Sequence, residues 1–150
     1  MGIRIITDSA ADFDLAVAKR RQVDVVPMAV QFGNASFLAG KNLSNEVFYQ
    51  LLLEGKENPT TSQPTPAAFL RYFEEVKAAG DQAVVILLSG ALSGTLQSAE
   101  IAKELCGYEP IYIIDSRTAT AGMQILVNFA CKLRRSGLPA AGIASEVERL

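Results

Sequence analysis

Histidine is missing from all 150 residues of the chain. That removes Ser-His-Asp and Cys-His catalytic groups together with every His-containing metal site, and makes an unaided hydrolase a poor expectation. Cysteine is nearly missing too. Cys106 and Cys131 are too few and too far apart for a disulfide framework or a zinc knuckle, and both fall in apolar helical patterns, so they read as buried free thiols in a reducing cytoplasm. Charge of either sign is scarce in net terms: 14 Lys and Arg stand against 16 Asp and Glu, a formal charge of -2. A nucleic-acid partner leaves a basic footprint that this balance lacks. No segment reaches the length of a membrane span. The start, MGIRIITDSA, has only a brief apolar run before Asp8 and reads as a first strand, not a secretion signal. A cytoplasmic location is the expectation. Three familiar loop motifs are also absent: the Walker loop, the nucleophile elbow and the Gly-x-Gly-x-x-Gly fingerprint.

What is present is aliphatic. Hydrophobic residues make up 49% of the chain and charged residues 20%, more apolar than an average soluble domain. One packed core is expected over residues 1–150. IRIITD, VDVVPMAVQFG, QAVVILLSG and PIYIIDS read as strands, the third as a central strand buried on both faces. Pro27 assigns the second run an edge or bulged position, and SFLAG pairs back on it as a hairpin arm. Helices are marked by their ends. Ser44 precedes a helix that stops at Gly55, and Thr65-Pro66 opens one that runs to Gly80. Ser93 to Thr95 introduce a helix with Leu96, Ala99, Ala102 and Leu105 on one face. Residues 120–135 form another, with Leu126, Phe129, Ala130 and Leu133 on one side, and a last helix begins at Pro139. Strands alternating with helices predict an α/β fold with a mainly parallel sheet flanked by helices, Rossmann-like in build.

In such sheets ligands bind outside the carboxyl ends of the strands. Three predicted strands end in small hydroxyl and acidic residues: Asp8-Ser9, Ser89 to Thr95, and Asp115-Ser116. The loop PTTSQPTP, Pro59 to Pro66, enters its helix from the same rim. Three prolines stiffen it, while Thr60, Thr61, Ser62 and Gln63 supply neutral donors and acceptors. It reads equally as a stiff connector and as a binding loop. SGALSGT leads into a helix whose first amides lack internal partners, so a phosphate or carboxylate can dock there, with Gly94 allowing close approach and Ser93 and Thr95 donating. A plain helix cap uses the same residues. Asp8 and Asp115 stand behind this rim as supporting carboxylates.

Taken in order, ITDSAAD (Ile6 to Asp12), VVPMAVQFG (Val25 to Gly33), PTTSQPTP, LSGALSGTLQSA (Leu88 to Ala99) and IIDSRTATAGM (Ile113 to Met123) resemble the DegV family. These are bacterial fatty-acid-binding proteins that act as the lipid-carrying subunits of a fatty acid kinase. The resemblance spans nearly all of the chain. It implies a protein that is not itself catalytic, holding a long acyl chain in a buried tunnel without cofactor or metal, its carboxylate bound by hydroxyls and phosphorylated by a separate kinase subunit. On this sequence the matching hydroxyls are Thr61 and Ser93, with Ser62, Gly94 and Thr95 as close neighbours. Family members are nearly twice as long, so the expectation here is the N-terminal α/β domain alone or a shortened homologue, the family's second domain having no counterpart in residues 1–150. Ala39-Gly40 stands where the family usually has Asp-Gly. Transient membrane contact and self-association through apolar surface are further expectations. Two rival classes remain: an enzyme acting on a small phosphorylated or carboxylated metabolite, with Asp8 or Asp115 as acid or base, and an assembly domain without ligand.

Overall fold

A computed structural model of the chain describes residues 2–39, 43–55 and 58–150. IRIITD forms β1 (Ile3–Asp8), which passes through a 3-10 turn at Ser9–Ala11 into α1 (Leu15–Arg20). Asp14 starts this helix, its carboxylate accepting from the amides of Ala16 and Val17, two donors that a helix start otherwise leaves free. Pattern alone does not predict α1, because six residues are too few to display helical periodicity.

The run VDVVPMAVQFG is two strands, not the single one expected: β2 (Val23–Val26) and β3 (Ala29–Phe32). Proline has no N–H to extend a ladder, so at Pro27 the chain leaves one sheet and enters another. β4 (Ala35–Leu38) is the expected hairpin arm, pairing antiparallel from Ala29 opposite Leu38 to Phe32 opposite Ala35. Gly33 turns the chain there with φ 58°, a conformation natural to glycine. Gly40, the end of the expected arm, lies outside the described residues.

α2 (Asn45–Glu54) starts at Ser44, whose hydroxyl accepts from the Val47 amide, and stops at Gly55. β5 (Thr60–Ser62) then precedes α3 (Pro66–Ala79), capped by the Thr65 hydroxyl on the Ala68 amide and closed by Gly80 at φ 68°. These ends fall where the capping signals put them. β6 (Gln82–Leu87), α4 (Thr95–Cys106), β7 (Ile111–Asp115), α5 (Ala121–Arg135) and α6 (Ala140–Arg149) complete the chain.

The main sheet is parallel, in the order β2-β1-β6-β7, and a three-stranded antiparallel sheet has the order β4-β3-β5. From β1 the chain moves outward to β2 and then returns to the other side of β1 as β6. Strand order therefore reverses between β1 and β6, the place where open parallel sheets receive ligands.

Side chains alternate across β6. Val84 and Ile86 face a layer that includes Val127, Ala130, Ile143 and Val147 from α5 and α6. Ala83, Val85 and Leu87 face Phe69, Phe73 and Val76 of α3 with Ala99 and Ala102 of α4. The small face of α4 accommodates the two phenylalanines beside it. That face is Ser98, Ala99, Ala102 and Cys106; Leu105, expected on it, is 66% exposed. On α5 the buried stripe is likewise rotated from the one expected, running through Met123, Val127, Ala130 and Cys131. Leu126, Phe129 and Leu133 are only partly covered. Both cysteines are free and buried.

Phe73→Ala should cost about 3–5 kcal/mol by leaving a cavity in the α3/α4 layer, whereas Leu105→Ser should stay within about 0.5 kcal/mol. Urea unfolding of the two variants checks this; comparable losses contradict the assignment of the core face of α4.

Candidate functional site

The rim after β1, β6 and β7 is held together by backbone and carboxylate hydrogen bonds. Asp8 is fully buried. One of its oxygens accepts from the Ala10 amide and the other from the Leu88 amide, both at 2.8 Å, which joins the loop after β1 to the end of β6. Burial pushes the Asp8 pKa above its ordinary value, and the two amide bonds oppose that shift in part. Asp115 does similar work on the neighbouring pair, accepting from the Arg117 amide at 2.8 Å and the Gly90 amide at 3.3 Å. The Ser116 amide donates to Leu87 O, the Ser89 amide to Thr118 O, and the Thr120 amide to Ala10 O. Three loops are thus one connected surface, and both carboxylates are engaged in holding it.

Ser9 extends the connection to the second sheet, its hydroxyl accepting from the Met28 amide at 2.9 Å. Met28 lies between β2 and β3, so this bond sets how the antiparallel sheet leaves the parallel one. Between the sheets lies a cavity of about 250 Å³, walled by Phe13, Leu15, Val25, Met28, Val30 and Phe48, with Ser9, Asp12 and Thr61 also lining it. A neighbouring groove of about 650 Å³ shares Leu15, Val25 and Ala39 with the cavity and continues along β2 toward Arg4 and Tyr72. The groove falls within the roughly 300–1,000 Å³ common for small-molecule sites.

The sequence-predicted residues fall into two groups. Thr61, paired with Val30 in the antiparallel sheet, borders the apolar cavity. Ser62 pairs with Ala29 beside it and is exposed. Ser93, Gly94 and Thr95 belong to the start of α4 and are not among the described residues lining that cavity. The Ser93 and Thr95 hydroxyls are 2.8 Å apart, and the Ser93 hydroxyl also accepts from the Thr95 amide. Thr95 is fully buried, so its hydroxyl orients that of half-buried Ser93. Gly94 is the residue before the helix and has no side chain to cap it.

Gln63 connects the two groups. Its amide nitrogen donates to Ser98 Oγ at 3.3 Å, and its head group lies over Gly94, so closely that a Cβ there would sit 2.8 Å from Nε2. The sequence places Gln63 among four neutral donors and acceptors of the candidate binding loop but does not reveal its link to α4. Nor does it reveal the walls contributed by Phe13, Leu15 and Phe48, which come from segments with no distinctive local pattern. Among the described residues no cluster of three or more Cys, Asp or Glu side chains is arranged to hold a metal, and no helix is long and apolar enough to cross a membrane.

A family model described as the DegV family matches residues 2–150. The chain is 37% identical over 145 residues to a DegV domain-containing protein of Caldanaerobacter subterraneus, covering 97% of this chain and 51% of the relative. It also matches the structure of a fatty-acid-binding DegV family protein from Thermus thermophilus, with 32% identity, a TM-score of 0.88 and coverage of 99% and 53% of the two chains. A stearic acid-binding protein from Eubacterium ventriosum matches with 26% identity, a TM-score of 0.91 and coverage of 100% and 53%. The chain therefore spans about half the length of the curated relatives it matches.

Asp8→Asn replaces one of two amide acceptors with a donor and should cost about 1–3 kcal/mol near neutral pH. Because the native Asp8 pKa is raised from 3.8, the folded state binds this proton more tightly than the unfolded chain. Its contribution to stability therefore grows as pH falls through the raised native value, and levels off below the unfolded one. The gap between wild type and Asp8→Asn in urea unfolding should widen toward acid across that window. A gap that narrows contradicts burial of the charged group.

Proposed function

Because the chain belongs to the DegV family, we propose that it binds a long-chain fatty acid and presents the carboxylate to a separate fatty acid kinase subunit. The carboxylate lies at the hydroxyl rim and the acyl chain runs into the apolar cavity. One observation carries this reading: Thr61 borders a cavity walled mainly by aliphatic and aromatic side chains, and Gln63 ties its loop to the hydroxyl-rich start of α4.

The division of labour follows from magnitudes. Burying ten methylenes contributes about 8 kcal/mol at roughly 0.8 kcal/mol each, so the acyl chain dominates affinity. The carboxylate end decides orientation. Thr61 and Ser93 donate hydroxyl hydrogen bonds to it, each worth about 1.5–3 kcal/mol when the acceptor is charged. Ser62 and Thr95 flank them, Thr95 by orienting the Ser93 hydroxyl, and Gly94 leaves room for the Gln63 amide at the start of α4, whose dipole favours a negative charge. Residues 1–150 act in this reading as one ligand-binding α/β unit with no chemistry, cofactor or metal of their own. Of the two carboxylates available to the enzyme alternative, Asp8 accepts backbone amides through both oxygens and Asp115 accepts two through Oδ1, which suits both to holding the rim.

Organic extraction and mass spectrometry of freshly purified protein should find bound long-chain fatty acids. Thr61→Ala with Ser93→Ala should weaken binding of a fluorescent fatty acid by about tenfold or more, equivalent to at least 1.4 kcal/mol. A polar metabolite in the extract, or unchanged affinity in the double variant, overturns the proposal.

A further inference from the structure

The two halves of the proposed carboxylate site sit on different frameworks. Thr61 belongs to the antiparallel sheet, and the Ser93–Thr95 turn to the loop between β6 and α4. Hydroxyls that must grip one carboxylate need a fixed separation, since hydrogen bonds weaken steeply when distance or angle drifts.

Gln63 is placed to supply it. It lies two residues after Thr61, and the next residue, Pro64, is buried and fixes its own φ. From that anchor the Gln63 side chain crosses to α4, where Nε2 donates to the hydroxyl of Ser98 at 3.3 Å. Ser98 is 3% exposed and lies in the first turn of the helix, while the outer side of Gln63 remains open to solvent.

Gly94 supplies the second observation. Its backbone, at φ -82° and ψ 8°, is open to ordinary residues and does not require glycine. What an added Cβ would meet is the Gln63 amide above it. A Cβ at Gly94 would collide with the Gln63 amide oxygen and lie 2.8 Å from its nitrogen and 2.9 Å from its Cδ. A Cβ there would push the end of Gln63 away from its place beside Ser98, so glycine at this position lets the amide stay seated. A neutral amide suits this place because a carboxylate would occupy the helix start as an internal anion and repel the ligand.

We propose that Gln63, seated on Gly94 and bonded to Ser98, is the positioning residue that sets the distance between Thr61 and the Ser93–Thr95 turn, and so forms the carboxylate-binding geometry. This rests on the fatty-acid reading above. Gln63 acts through the two hydroxyls and not by removing or adding a proton.

The test is a double-mutant cycle on the full chain. Affinity for a fluorescent long-chain fatty acid, kept below its micelle concentration, is measured for wild type, Gln63→Ala, Gly94→Ala and the double variant, alongside thermal midpoints. Each single substitution should weaken binding about tenfold, and the double variant should also lose about tenfold and not a hundredfold, because both changes break one contact. Midpoints should move by less than about 4 °C. If wild type binds but the single variants bind equally well, or the losses multiply, the positioning role fails while the fatty-acid reading stands. Losses matched by a general fall in midpoint also overturn it, by reducing Gln63 to a structural contact. Should Gly94→Ala not fold, Gln63→Ala decides alone by the same affinity and midpoint criteria. No binding by wild type overturns both readings together.

Discussion

The buried Asp8 carboxylate is the interaction on which the rim depends. A charged group with no solvent exposure is costly unless its oxygens find donors, and here each oxygen takes one backbone amide, from Ala10 and from Leu88. The bond to Leu88 crosses the point where strand order reverses, so it locks the ends of β1 and β6 side by side. Ser9 is then held in place to accept from Met28. Through that second bond the geometry of the rim reaches the antiparallel sheet and the cavity beneath it.

Pro27 is the other constraint. Had the run from Val23 to Phe32 continued as one strand, there would be no separate antiparallel sheet and no space between it and the parallel one. By ending β2 the proline sends the chain into β3, to which β5 later adds, bringing Thr61 beside Val30 at the cavity. Apolar walls and a polar mouth thus come from different segments: Phe13 and Leu15 near α1, Val25 on β2, Phe48 on α2 and Thr61 on β5. That arrangement suits a ligand with a long apolar body and one charged end, where burial of the body supplies affinity and the end supplies orientation.

Much of this was legible in the sequence, for reasons that differ by element. Ser44, Thr65-Pro66, Gly55 and Gly80 mark helix ends because capping is a local matter of a few residues. QAVVILL announces a central strand because burial on both faces leaves a continuous apolar run. The loops after the parallel strands could be placed on one rim from topology alone. Failures arise where tertiary packing decides. Of Leu96, Ala99, Ala102 and Leu105, which fit helical spacing, the first three do pack against the α3 layer, yet Leu105 is turned to solvent and Cys106 is buried instead. Three residues of β5 and six of α1 are too short for a periodic signal. The role of Gln63 was invisible because it depends on a glycine thirty-one positions away; in sequence, Gly94 resembles any glycine at a helix start.

The most direct test of the account is an amide and methyl NMR titration of the isotopically labelled protein with stearic acid below its micelle concentration. Saturable shifts are expected in two groups: the amides of Thr61, Gln63 and Ser93 to Gln97, for the proposed carboxylate site, and the methyls of Leu15, Val25 and Val30, for the proposed acyl-chain site. Shifts confined to other surfaces, or shifts at the cavity methyls with none at either hydroxyl loop, contradict the account.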